Sequence, residues 1–159
     1  ALVPAEPDIS QATGAKDAEE TAGVAAAERG IHQSPSLSLL SGSWKGDKGL
    51  ETVRLYPNGT GLAILSGGGT LRLKVSIKGT EVEVRQDQPN DPALYRSANW
   101  DFATAQFIAA RARPMRWLFF LSADGSILRG AKESVAYDGA TRTVDNSYER
   151  EAQWDRIFR

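Results

Sequence analysis

The chain has 159 residues, with 19 Lys and Arg against 20 Asp and Glu, and a formal net charge of −1. That length suits one domain and a tail, and that charge creates no general attraction to nucleic acid or an anionic membrane. The absence of cysteine excludes disulfides and thiolate chemistry, and no apolar run approaches the roughly 20 residues of a membrane-spanning helix.

Residues 1–36 are rich in Ala, Glu, Pro, Ser, Gly and Thr and contain no aromatic residue. Such a segment cannot bury enough apolar surface to offset its ordering entropy, so a disordered tether is predicted. Six acids (Glu6, Asp8, Asp17, Glu19, Glu20, Glu28) and two bases (Lys16, Arg29) give residues 1–40 a net charge of −4, leaving +3 for the remainder. The opening Ala-Leu-Val-Pro, without Met, reads as a processed or trimmed start, and a removed export signal is the common cause of processing. His32, the sole histidine, falls in this tether. With no second histidine to share a metal, a histidine metal site is not expected, and with none in the body to activate a serine, a Ser-His-Asp triad is excluded.

A domain of short strands is predicted over 37–159, because turn signals recur every 8–12 residues from Trp44 onward. Thr52 to Tyr56 and Thr60 to Leu65 flank Pro57-Asn58-Gly59. Matching Leu55 with Leu62 and Val53 with Ile64 requires a loop of even length. Ser66 to Gly69 reverses the chain into Leu71 to Gln86, where Leu71, Leu73, Val75 and Ile77, then Val82 and Val84, alternate with polar residues. A period of two places them on one dry face, and a Lys78-Gly79 loop would set Val75 against Val82, Leu73 against Val84 and Lys74 against Glu83. After a loop at 87–92, Asp101 to Arg113 is predicted as a helix. Asp101 sits at its N-terminus, Phe102, Ala105, Ile108, Ala109 and Ala112 form a stripe, and Pro114 ends it. Met115 to Leu121 is apolar on both faces and is predicted to lie between sheet and helix. Turns at Asp124-Gly125 and Asp138-Gly139 lead to a final strand with Trp154, Ile157 and Phe158. The total is eight or nine strands and one helix.

Candidate chemistry is sparse. Asp87, Asp91, Asp101 and Asp124 each sit at a turn or cap, which accounts for a carboxylate without catalysis. Gly42-x-x-x-Gly46-x-Lys48-Gly49 lacks the ending of a phosphate loop and reads as a strand-edge turn. Arg96, Arg111, Arg113 and Arg116 lie near Trp100 and Trp117, but a body charge of +3 argues against nucleic acid. Asn58-Gly59-Thr60 fits a glycosylation sequon in a tight turn.

Gly42-Ser43-Trp44 resembles the lipocalin signature at the start of a first barrel strand. Pro57 to Gly61, and Asp124 to Gly130 before a late strand, are similar to small lipocalin-like domains of bacterial envelope proteins. The resemblance covers 42–159. It implies an antiparallel barrel of eight or nine strands, with Gly42 and Trp44 structural and Arg156 or Arg159 packed on Trp44. The mid-chain helix departs from lipocalins, whose main helix follows the last long strand. By analogy, the tether would tie the barrel to a surface, as in envelope lipoproteins, with a lipid anchor lost from the N-terminus. The expected setting is the cell envelope, periplasmic or anchored to the outer membrane.

The expected function is binding without chemistry and without a cofactor. In one reading, a small apolar ligand or lipid occupies a cavity lined by Leu55, Leu62, Ile64, Leu73, Val75, Val82, Val84, Phe102 and Phe119, with Val53, Leu71 and Leu121 also facing inward. In the other, the barrel is packed, holds no ligand, and serves as a protein–protein interaction module such as an adhesin or assembly factor. The two differ in whether the interior is filled.

Overall fold

A computed structural model describes residues 3–4, 34–96 and 100–158. The elements in order are β1 (Val3–Pro4), α1 (Leu37–Leu40), β2 (Gly42–Lys45), β3 (Leu50–Leu55), β4 (Thr60–Leu65), β5 (Thr70–Lys78) and β6 (Glu81–Gln86). A 3-10 turn at Pro92–Leu94 precedes α2 (Phe102–Arg111). Then follow β7 (Arg116–Leu121), β8 (Ile127–Glu133), β9 (Ala136–Asp138), β10 (Thr143–Asp145) and β11 (Glu149–Phe158). The expected tether, His32 included, lies outside the described residues except for 3–4 and 34–36. Arg159 also lies outside them.

Strands β2 to β8 follow one another around a closed antiparallel barrel, and β11 completes the ring between β8 and β2. Closure leaves the eight strands with no unpaired edge. A separate small sheet sets β9 between β1 and β10. Among the described residues, no helix is long and apolar enough to cross a membrane.

Two hairpins differ in register from the sequence reading. Lys78 pairs with Glu81, so the β5–β6 loop is Gly79-Thr80. A two-residue loop of this kind takes a left-handed residue first, and Gly79 supplies it at φ 60°. Val75 therefore meets Val84, Leu73 meets Gln86, and Lys74 meets Arg85 rather than Glu83. The slip is two residues, so every side chain keeps its face. The β3–β4 loop is odd, not even. The Tyr56 N–H donates to the Thr60 carbonyl and Gly59 closes the loop at φ 88°. Three-residue loops with a left-handed glycine are a common alternative to two-residue ones. Leu55 consequently pairs with Gly61 and Val53 with Ala63. That one-residue slip turns Leu62 and Ile64 outward and leaves Gly61, Ala63 and Leu65 inside.

The helix forms where predicted, slightly shorter. Asp101 accepts from the Thr104 N–H at 2.7 Å as N-cap, and the Arg111 guanidinium lies 3.7 Å over the Phe107 ring in the last turn. Ala105, Ile108 and Ala109 form its buried face. Phe107 and Trp100 both stack edgewise on Tyr137 of β9, so the helix and the small sheet cover one mouth of the barrel together. Asn90 ties this cover down. It accepts from Gln86 at the end of β6 and donates to the carbonyls of Ala109 and Ala112. In β7, Trp117, Phe119 and Leu121 are buried, while Leu118 and Phe120 are half-buried on the outer side.

Candidate functional site

Three places could carry a function: the barrel interior, its two mouths and its outer wall. The interior is built by the period-two alternation of each strand. Leu55, Leu73, Val75, Val82, Val84 and Phe119, six of the expected cavity residues, are buried, as are Val53, Leu71 and Leu121. Leu62 is half-buried on the outer side, Ile64 is 45 % exposed and Phe102 is 57 % exposed, so these three line no interior. The first two turn out because of the odd loop. Phe102 is the first residue of α2, ahead of its buried stripe.

Large aromatic rings occupy much of the enclosed space. Trp44, Trp117, Trp154 and Phe119 have no exposed surface. The Trp154 ring lies 4.9 Å from Phe119 and 5.5 Å from Trp117, centroid to centroid, within the range of favourable ring pairs. Small residues make room for them. Gly130 pairs with both Phe119 and Ala152. A side chain on Gly130 would come within 1.9 Å of the Leu118 carbonyl oxygen, so the glycine is required by close approach.

The mouth beside α2 is closed by a carboxylate. Asp47, in the turn after β2, accepts from the indole N–H of Trp117 at 3.1 Å and of Trp154 at 2.5 Å through one oxygen. Its other oxygen accepts from Arg150 of β11 at 2.5 Å. The Asp47 side chain is only 5 % exposed, so two buried indole donors and a buried guanidinium share one anion. Lys132, also buried, holds its ammonium 4.9 Å from the Trp117 ring centre. Both carboxylate oxygens are taken by permanent donors, and this arrangement orients side chains rather than offering a base to a substrate.

The opposite mouth is closed by α1 and an arginine. The Trp44 indole N–H donates to the Leu40 carbonyl at 2.9 Å. Arg156 lies 4.2 Å over the Trp44 ring and donates to the carbonyls of Leu39, Ser41 and Gly125. The arginine that packs on Trp44 is thus Arg156. Gly42 begins β2 with φ 129°, outside the range that other residues favour.

Asp91 and Asp124, also singled out from sequence, are held locally. Asp91 caps the 3-10 turn, and Asp124 accepts from the Ser126 N–H and from the hydroxyls of Ser122 and Ser126. Those bonds, Ser126 first and then Ser122, hold the Asp124 carboxyl down at about 2. The Asn58 side chain is occupied by the Thr60 N–H and hydroxyl. Residues 46–49 form a turn after β2, and a side chain on Gly46 would meet Leu50 Cβ at 2.5 Å, so packing explains this glycine without a phosphate. Arg111 and Arg116 do not gather on one surface: the first lies on Phe107 and the second is paired in the barrel wall. Among the described residues, no group of three or more His, Cys, Asp or Glu gathers to hold a metal. A shallow depression of about 130 Å³ on β8 and β11 is lined by Arg129, Glu151, Ala152 and Gln153.

Sequence reasoning missed Asp47, Arg150 and Lys132. Alternation did mark two of them: Lys132 shares parity with Leu128 and Gly130, and Arg150 with Ala152 and Trp154. Charged residues at inward positions are the signal for a buried ionic group. Asp47 lies in a turn, where an aspartate gives no such sign.

Residues 34–157 match the model of the TP_0183_C family, described as "C-terminal", and the chain belongs to that family. No curated protein matches it. Family and fold together define an antiparallel eight-stranded barrel domain.

Proposed function

We propose that this barrel is a non-enzymatic interaction module that meets another macromolecule on its outside, rather than a carrier of a small apolar ligand. The observation that carries this reading is the filling of the interior by Trp44, Trp117, Trp154 and Phe119, all without exposed surface. Eight strands leave an interior that side chains can fill or that can hold one small ligand, and four large rings favour the first. Closure of both mouths, by the Asp47 cluster and by α1 with Arg156, supports it further. The occupation of Asp47, Asp91, Asp101 and Asp124 by donors supports binding without chemistry. A setting in the cell envelope belongs to the same proposal and rests on the resemblance alone; fractionation of the native host tests it.

The test is titration of the full chain with an environment-sensitive apolar dye. The wild type gives no saturable signal, whereas Phe119→Ala or Trp154→Ala opens an apolar void that takes up the dye or xenon. Saturable micromolar binding by the wild type, abolished by Val75→Trp, would restore the carrier reading.

A further inference from the structure

The outer wall of the barrel is not uniform in charge. Outward side chains on β2 to β5 include Lys45, Arg54, Arg72 and Lys74, all exposed. Arg54 has only neutral cross-strand neighbours, whereas Lys45 faces Asp155, Lys74 faces Arg85, and the Arg72 carbonyl accepts from the Asp87 N–H. One row runs from Phe158 through Ser43, Arg54 and Leu62 to Arg72, and the next through Lys45, Thr52, Ile64 and Thr70. Tyr56 follows Arg54 on the same face at 41 % exposure, and Lys74 pairs with Thr60. Glu51, beside the bulge in β3, is the one carboxylate on these four strands. Among the described residues, none of the four cations forms an ion pair. Arg54 donates only to the Ser43 hydroxyl and Arg72 only to the Asp87 carbonyl.

On the other half of the wall, two arginines are paired with carboxylates. Arg116 bridges Glu83 at 2.8 Å and Glu133 at 2.9 Å, and Arg85 meets Glu83 at 3.2 Å. Four cations outside any ion pair, against the two carboxylates Asp155 and Asp87 at the borders of the patch and interleaved with exposed Tyr56, Ile64 and Phe158, make a surface complementary to carboxylates and apolar groups together.

We propose that the outer wall of β2 to β5 docks an acidic segment of a partner protein, one in which carboxylates alternate with apolar side chains. This rests on the interaction-module reading and names the partner's chemistry. Curvature selects a protein over a bilayer. Four of eight strands cover half the circumference of the barrel, so a flat membrane touches a strip of this surface while a polypeptide wraps it. Leu62 lies between Arg54 and Arg72, and Ile64 in the row beside it, where a phosphate backbone would need polar groups, which disfavours nucleic acid.

The experiment uses the full chain and a fluorescent 20-residue peptide alternating Glu with Leu and Phe, alongside a Gln-for-Glu copy. Parallel arms use vesicles containing anionic lipid and a single-stranded oligonucleotide. The acidic peptide binds saturably, more weakly as salt rises, and about tenfold or more tighter than its neutral copy. The variant Lys45→Gln/Arg54→Gln/Arg72→Gln/Lys74→Gln loses about tenfold or more of that affinity with an unchanged near-ultraviolet spectrum. Ile64→Ser weakens binding several-fold, and Arg129→Gln on the opposite wall leaves it unaltered. Failure of the acidic peptide to bind, equal binding by the fourfold variant, or stronger charge-dependent binding of vesicles or oligonucleotide overturns the proposal. The apolar dye separates the two levels of failure. Dye taken up by the wild type defeats the interaction-module reading itself, while dye exclusion without peptide binding defeats only this surface.

Discussion

The two mouths of the barrel are closed by the same pair of residue types in different ways. At each, an arginine of β11 and a buried tryptophan are held together. Beside α2, Arg150 and the indoles of Trp117 and Trp154 converge on a side-chain carboxylate, Asp47. Beside α1, Arg156 stacks on Trp44, and both donate to backbone carbonyls. The first closure is ionic and depends on one side chain. The second is built from main-chain acceptors that no substitution removes, so it breaks only if the donor is lost or α1 leaves. A guanidinium at a barrel mouth can therefore be held by a side-chain carboxylate or by main-chain carbonyls, at the expense of either a fragile residue or a fixed helix.

The largest effects fall on the residues that hold each mouth. Asp47→Ala leaves two buried indoles without their acceptor and Arg150 with only carbonyl acceptors such as those of Lys48 and Glu151, and is expected to cost about 3–5 kcal/mol in urea denaturation. Trp44→Ala at the other mouth is expected to cost about 3–5 kcal/mol as a large-to-small core change. Arg156→Ala should cost less, about 1–3 kcal/mol, since water can reach some of the freed carbonyls. Its coupling to Trp44→Ala should be about 0.5–3 kcal/mol, whereas Arg156→Ala and Asp47→Ala, at opposite mouths, should add to within about 0.5 kcal/mol. Coupling between the mouths would show that they are one unit and dissolve the comparison.

A smaller effect tests whether the cover over the Asp47 mouth contributes to closing it. Asp101→Ala removes the N-cap of α2 and is expected to cost about 1 kcal/mol. If hydrogen exchange at the Trp117 and Trp154 indoles then quickens while Trp44 is unaffected, the cover belongs to that mouth alone. The smallest effect lies in the wall between them. Burial pushes the Glu83 carboxyl up, but its hydrogen bond to Arg116 and the charges of Arg116 and Arg85 outweigh this and hold it below 4.5. A depressed carboxyl contributes stability that is fully present above its ordinary value and lost as pH falls through the lowered one. Glu83→Gln should therefore flatten the decline in melting temperature below about pH 4.5 without altering either mouth.

Alternation was legible wherever a strand was long. Leu71 to Ile77 and Val82 to Val84 face inward as their period requires, and Asp101 caps the helix it was expected to cap. Registers were not legible, because they depend on φ at single turn residues. Gly59 and Gly79 each permit more than one loop length, and only packing chooses. Slipping β5–β6 by two cost nothing in the reading, whereas the odd loop before β4 reversed Leu62 and Ile64. The Trp44–Arg156 contact was accessible through the family resemblance and not through spacing, since its partners are joined only by barrel closure. The ionic mouth was hidden because its anion sits in an ordinary turn, and the inward parity of Lys132 and Arg150 does not by itself name that anion. The outward cations of β3 to β5 were visible as alternating residues, but their lack of partners is a property of the folded wall.

The ring closes between β2 and β11, and the contacts that lock it join Arg156 to Ser41 and Trp154 to Asp47, 115 and 107 residues apart. Topologies dominated by such distant pairings fold slowly, in milliseconds to seconds. During synthesis β2 to β8 can form a sheet, but that sheet has two open edges and an uncovered apolar face until β11 has left the ribosome. Trp44 then has no arginine, and Asp47 has neither Arg150 nor Trp154. Completion of this barrel therefore waits for β11 to emerge. A nascent chain arrested before residue 149 should bind holding chaperones and resist folding, and extending the arrest point past 158 should release it in one step.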